Sequence, residues 1–261
     1  MNKDQFVENQ QNPYAAYEPA FDVLDLPSQG MFYPKVDGKP VNTVTVTHLT
    51  AQDEGIMSSP NLINSGRMID ALLERKVKCK IPIDDLLVGD RLAILVYLRA
   101  TMERFYHVKL VDPDTGKSFE HEIDLAALKM NDIKYLPNQE GFFDFILPKS
   151  KRRVTFRLMT GGVEKNIRMR NQSEQKLRKT EEDYFDSFKL EELVVSIEGI
   201  DDKLGQTYFL KNMPIMDARR LHSYITDVTP TINLEVDVPT PSGGRFRLPI
   251  PITREFLYPT I

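Results

Sequence analysis

Two spacings of apolar residues, one of two positions and one of three to four, divide most of the chain into elements. Val44, Val46 and His48 alternate with Thr43, Thr45 and Thr47, which predicts a strand. Thr50 and Asp53 have the spacing of a capping box that opens a short helix, and Ser58 to Gly66 breaks it. Met68, Ile69, Leu72 and Leu73 form one helical face. Ile83 to Arg104 holds the most apolar helix, with Asp90 as its expected N-cap. Arg91 and Arg99 are its charged exceptions, and Arg99 is spaced to pair with Glu103.

A hairpin follows. Tyr106, Val108 and Leu110 lead into Asp112-Pro113-Asp114-Thr115-Gly116, and Phe119, His121 and Ile123 return. A second hairpin pairs Phe143, Phe145 and Leu147 with Val154, Phe156 and Leu158 through the basic turn Lys149 to Lys151. Residues 161–190 read as a charged helical connector with a solvated face. Leu193, Val195 and Ile197 fit a strand, and a helix through 189–196 fits equally well. Ile215, Ala218, Leu221, Ile225 and Val228 make another helical face. Ile232, Leu234, Val236 and Val238 then alternate, answered by Phe246, Leu248 and Ile250.

This pattern predicts an α+β fold in which a helix–hairpin unit occurs twice, at about 90–125 and 217–252, with an extra antiparallel hairpin. Asp112 lies 22 residues after Asp90, and Pro239 lies 22 after Asp217. Each spacing from aspartate to turn glycine, Gly116 or Gly243, is 26. A pseudo-symmetric body is expected. Its units are a flexible arm at 1–25, a first α+β unit at 26–160, the connector at 161–190 and a second unit at 191–261. The arm is polar, with Tyr14, Tyr17 and Phe21 near its end; it is either a frayed terminus or an aromatic docking element.

Composition narrows the function classes. The chain has 261 residues, 41% hydrophobic and 28% charged, with a net charge of −4. It is not basic overall, so nucleic acid is not expected as a partner. One cysteine, Cys79, excludes a disulfide framework and a four-cysteine zinc site. No apolar run approaches a membrane span and no signal peptide is visible, so no membrane partner is expected and the site of synthesis and residence is a reducing cytosol, or release by lysis.

Candidate chemistry is thin. Gly116-Lys117-Ser118 lacks the first glycine of a phosphate loop, because position 111 is Val111. Asp112, Asp114 and Gly116 imitate the start of a calcium loop, but Ile123 stands where a bidentate Glu is needed. His107 and His121 flank one turn without a third ligand. No catalytic set, metal, cofactor or small-molecule substrate is expected, and an enzyme stays as a minor alternative.

Several blocks resemble the baseplate hub protein family of T-even-type contractile-tailed phages. Leu26-Pro27-Ser28-Gln29-Gly30-Met31-Phe32-Tyr33-Pro34 is similar to the family's opening motif. Leu49-Thr50-Ala51-Gln52-Asp53-Glu54 and Ser58-Ser59-Pro60-Asn61-Leu62 follow. The most specific match is Leu86-Leu87-Val88-Gly89-Asp90-Arg91-Leu92-Ala93-Ile94-Leu95-Val96-Tyr97-Leu98-Arg99. Leu147-Pro148-Lys149-Ser150, Leu158-Met159-Thr160-Gly161-Gly162, Pro249-Ile250-Pro251-Ile252 and Phe256-Leu257-Tyr258-Pro259 complete the order. Many members carry a Cys-x-x-Cys knuckle in each hairpin turn, which implies a shared zinc. Here Asp112 and Thr115, and Pro239 and Ser242, stand at those positions, so zinc is not carried over.

The resemblance implies a baseplate role through protein–protein binding without catalysis, in the virion tail or in the host cytoplasm during assembly. The partners would be other baseplate hub and tail proteins. The chain would be either a permanent subunit or an assembly chaperone absent from the virion. Expected contact residues are Tyr14, Tyr17, Phe21, Phe32, Tyr33, Phe256 and Tyr258, the last two being equally readable as core. Asp90, Arg91, Arg99, Gly116 and Gly243 are expected to be structural.

Overall fold

Thr50 closes the expected capping box: its amide donates to Asp53 Oδ2 at 2.7 Å, which starts a 3-10 turn at Ala51–Asp53. The computed structural model describes residues 17–258. In chain order the strands and helices are β1 (Phe21–Asp25), β2 (Thr43–Thr47), α1 (Glu54–Met57), α2 (Pro60–Asn64), α3 (Met68–Lys76), β3 (Val77–Lys78) and α4 (Val88–Met102). Next come β4 (Phe105–Val111), β5 (Ser118–Asp124), β6 (Phe143–Ile146), β7 (Arg153–Phe156), α5 (Gly161–Arg178), α6 (Phe185–Leu193) and β8 (Val194–Ile197). The chain continues through α7 (Lys203–Asn212), α8 (Ile215–Val228), β9 (Glu235–Pro239), β10 (Arg245–Pro249) and α9 (Arg254–Leu257).

The class is α+β. Among the described residues there are four small antiparallel sheets, β1-β2-β3, β4-β5, β6-β7-β8 and β9-β10. A core cluster of buried residues extends in sequence from Leu26 to Leu257. α4 lies within it: Ile94, Leu95, Val96 and Leu98 are buried, as its near-uniform apolar character requires.

Three expectations change. The end of the arm is an ordered strand, because β1 pairs with β2 from Phe21↔Thr47 to Asp25↔Thr43. Ser58 to Gly66 contains a short helix, α2, capped by the Ser59 hydroxyl and started by Pro60. The alternatives at 189–197 are both realised in succession, since α6 ends at Leu193 and β8 begins at Val194.

Helix then hairpin occurs twice, as α4 to β4-β5 and as α8 to β9-β10. Surroundings differ: α4 is buried over most of its surface, while α8 buries one stripe, Asp217, Leu221, Ile225 and Val228. The segment after β5 is bonded to the link between α8 and β9, with Asn131 N to Thr231 O and Asn233 N to Lys129 O both at 2.8 Å.

Candidate functional site

The first turn of α4 receives the lead-in motif. Asp90 is the third helical residue and the N-cap is Leu87, whose backbone is extended. Asp90 therefore does not cap its own helix, which corrects the expectation. Its Oδ1 accepts from Ser28 N at 2.9 Å, and its Oδ2 accepts from the Tyr33 hydroxyl. The same hydroxyl accepts from Leu87 N at 2.9 Å. Burial and the neighbouring Asp90 carboxylate push the Tyr33 phenol far above its ordinary range, so it stays a donor. Phe32 stacks on Phe143 with centroids 6.0 Å apart. The lead-in aromatics thus hold the chain to itself. Burial of Tyr33 overturns the contact role expected of it; Phe32 is half-buried and packs against the core.

Arg91 is buried and paired with Asp70 of α3, with Asp84 Oδ1 at 3.7 Å from Nη1. Gly161, at the start of α5, lies against the guanidinium. Arg99 is fully inside. Its Nε donates to Phe256 O at 2.7 Å, its Nη1 to Glu103 O at 2.9 Å, and its Nη2 to Glu103 Oε2 at 3.2 Å. The expected Arg99–Glu103 pair is present, and the bond to Phe256 brings in α9. Phe256 is 0% exposed, with Tyr106 edge-on at 5.3 Å, so it belongs to the core and not to a contact surface. Tyr258 is half-buried against the same core, and its hydroxyl donates to Glu54 Oε1 at 2.5 Å.

The two hairpin turns meet. Ser242 N donates to Asp112 Oδ2 at 3.1 Å, and Ser242 Oγ reaches Asp112 Oδ1 at 3.1 Å and Asp114 Oδ2 at 3.0 Å. Thr240 Oγ1 adds a bond to Ser242 Oγ at 2.9 Å. Gly116 and Gly243 hold φ of 68° and 92°, the left-handed conformation such turns require. Burial opposes ionisation of Asp112, yet the amides of Asp114 and Ser242 and the Ser242 hydroxyl outweigh it and hold the carboxyl below the usual range.

Asp217 shares Asp90's position in its helix but has different donors. It too is the third residue of its helix, and it reaches out to a remote loop: Lys149 N at 2.7 Å and Ser150 N at 2.9 Å. Burial opposes its ionisation, but these amides prevail and lower its pKa. A folded pKa below the unfolded value gives a stability contribution that is complete above about pH 4 and lost as pH falls through the folded value. Asp217→Asn should therefore flatten the acid limb of the stability curve. Urea midpoints at about pH 3 and pH 6 check this; an unchanged drop between them would overturn it.

A cleft of about 410 Å³ lies between α4, α5, α6 and α8. Its walls include Leu92, Leu95, Met159 and Ile225, with Arg168, Glu164 and Lys189 also lining it. Arg168 pairs with Glu164 at 3.5 Å. Burial lowers the Lys189 pKa, and Asp186 and Glu164 oppose that. Among the described residues, no three of His, Cys, Asp and Glu are grouped to hold a metal ion, and no helix is long and apolar enough to cross a membrane. His107 faces Glu122 across β4-β5, not His121, and lies 3.5 Å from both Glu103 and Glu122.

The exposed aromatics are elsewhere. Tyr17 is 84% exposed, and on β1 Phe21 is 65% and Val23 66% exposed. Tyr14 lies outside the described residues. Sequence reasoning missed Asp70 as the partner of Arg91, and it missed Val23. The alternation of Phe21 and Val23 was the available signal. No family model, no curated protein and no solved structure matches this chain.

Proposed function

We propose that the chain is a baseplate hub protein of a contractile-tailed phage and works by binding other hub and tail proteins, without a catalytic step. The observation that carries this reading is the union of the two hairpin turns. The resembled family implies that its two knuckles share one ion, which requires the turns to touch. Here the turns touch through Asp112 and Ser242, two of the four positions equivalent to those cysteines. Hydrogen bonds then do the joining that the resemblance assigns to a metal in that family. Exposed Phe21 and Val23 on β1 supply apolar area of the kind that binding requires.

The test is quantitative mass spectrometry of purified virions beside lysates stalled before tail completion. A fixed ratio to the hub proteins in virions is the expected result. Absence from virions with co-purification on hub intermediates would make the chain an assembly factor. Absence from both would overturn the baseplate reading.

A further inference from the structure

β1 is a short edge strand. Among the described residues it pairs with β2 and nothing pairs with its outer edge. Ala20 O accepts from His48 N and Leu26 N donates to Asn42 O, both at 2.8 Å. Hydrogen-bonded pairs alternate along an antiparallel ladder, so the N–H and C=O groups of Phe21, Val23 and Asp25 point away from β2. β1 contains no proline, lysine or bulge, the devices that normally blunt such an edge. The side chains of Phe21 and Val23 are exposed on the outer face.

An apolar groove of about 410 Å³ adjoins this edge. It is lined by Leu24, Ala93, Val96, Ala100, Leu125 and Leu128, with Leu24 its contribution from the sheet; Arg104 also lines it, but its charge is paired with Asp124 at 2.7 Å. A strand added outside β1 would send alternate side chains toward this groove and the others beside Phe21 and Val23.

Charge chooses the occupant. Residues 4–34 contain Asp4, Glu8, Glu18, Asp22 and Asp25 and no Lys or Arg; Asp22 is engaged by His48 and the Tyr97 hydroxyl, which leaves Asp25 as the carboxylate of β1 best placed to meet a partner. A second copy would bring the same carboxylates to its own edge, and residues 1–16 would add Asp4 and Glu8 against a single Lys3. Like charges brought together across paired strands destabilise them. A basic strand is favoured instead.

We propose that the outer edge of β1 and its groove receive an extended segment of a second polypeptide, aliphatic at alternate positions and carrying Lys or Arg between them. Such strand addition takes affinity from main-chain hydrogen bonds and specificity from alternate side chains. The inference rests on the binding reading above, yet its test uses the purified chain and a synthetic probe. Failure of the phage assignment and failure of strand addition are thus separately visible.

The probe is a short end-blocked peptide alternating valine and lysine. It should bind and slow amide exchange at Phe21, Val23 and Asp25. Val23→Pro removes an outward N–H, a position where an edge strand accepts proline, and should weaken binding about tenfold or more. Asp25→Lys alters an exposed side chain and should weaken the lysine peptide while favouring a valine–glutamate one. Unprotected amides, equal binding of the two peptides by the unmodified chain, or indifference to both substitutions would overturn the proposal. So would about tenfold tighter binding after deletion of residues 1–16, which would make them the occupant. A dimer that Val23→Pro converts to monomer would also overturn it, in favour of a second copy.

Discussion

Asp90→Ala is expected to cost about 3 kcal/mol of folding stability, well above the roughly 1 kcal/mol of a lost helix cap. The difference lies in what the carboxylate holds. Its two oxygens accept from the Ser28 amide and the Tyr33 hydroxyl, and all three groups are buried. Alanine leaves both donors inside the protein without an acceptor, and an orphaned buried donor costs about 1–3 kcal/mol. The Tyr33 hydroxyl also loses the partner that orients it toward Leu87 N. Asp90→Asn keeps one acceptor oxygen and should lose roughly half as much. Urea titration of the three proteins measures this. A loss near 1 kcal/mol for alanine would return Asp90 to a local capping role.

Gly161→Ala should be at least as damaging, at about 4 kcal/mol. A Cβ at Gly161 would stand 2.5 Å from Arg91 Cζ and 2.7 Å from its Cδ. Arg91 has little room to yield, since it is buried and tied to Asp70. Moving it separates a buried ion pair and strands the Asp70 carboxylate, which costs far more than the methyl group gains. The check is a double-mutant cycle. In an Arg91→Ala background the same glycine substitution should cost less than about 1 kcal/mol, because the group it strikes is gone. Equal costs in both backgrounds would place the strain elsewhere in α5.

Elements built from neighbouring residues were legible in the sequence. The Thr50–Asp53 box, the β4-β5 and β6-β7 hairpins and the stripe of α8 each depend on residues a few positions apart. The partners of polar residues were not legible. Asp90 looks like a cap because an aspartate near a helix start ordinarily serves its own amides. Here Leu87 holds the cap position, and the donors come from Ser28 and Tyr33, far back along the chain. β1 escaped because its two large apolar side chains face outward, so the strand lacks a buried alternating face.

Several segments far apart in the sequence touch one another inside the fold. The lead-in motif meets α4 through Asp90, Arg91 of α4 meets Gly161, and Arg99 meets Phe256. Phe32, Tyr33 and Phe256 serve cohesion. Tyr17 and Phe21, outside those segments, remain on the surface.

The bond from Arg99 to Phe256 also sets an order of events during synthesis. Domains generally acquire structure as the chain emerges from the ribosome, and contacts distant in sequence come late. The α4 segment is made early, but Arg99 has no Phe256 carbonyl to meet until 157 further residues have been added. The two bonds to Glu103 can form early, but the Nε donor waits for Phe256, so closing the interior around α4 is less favourable in the nascent chain. Final consolidation of the core is thereby deferred until after residue 256 has left the ribosome, and a chain truncated before α9 would keep that interior loose.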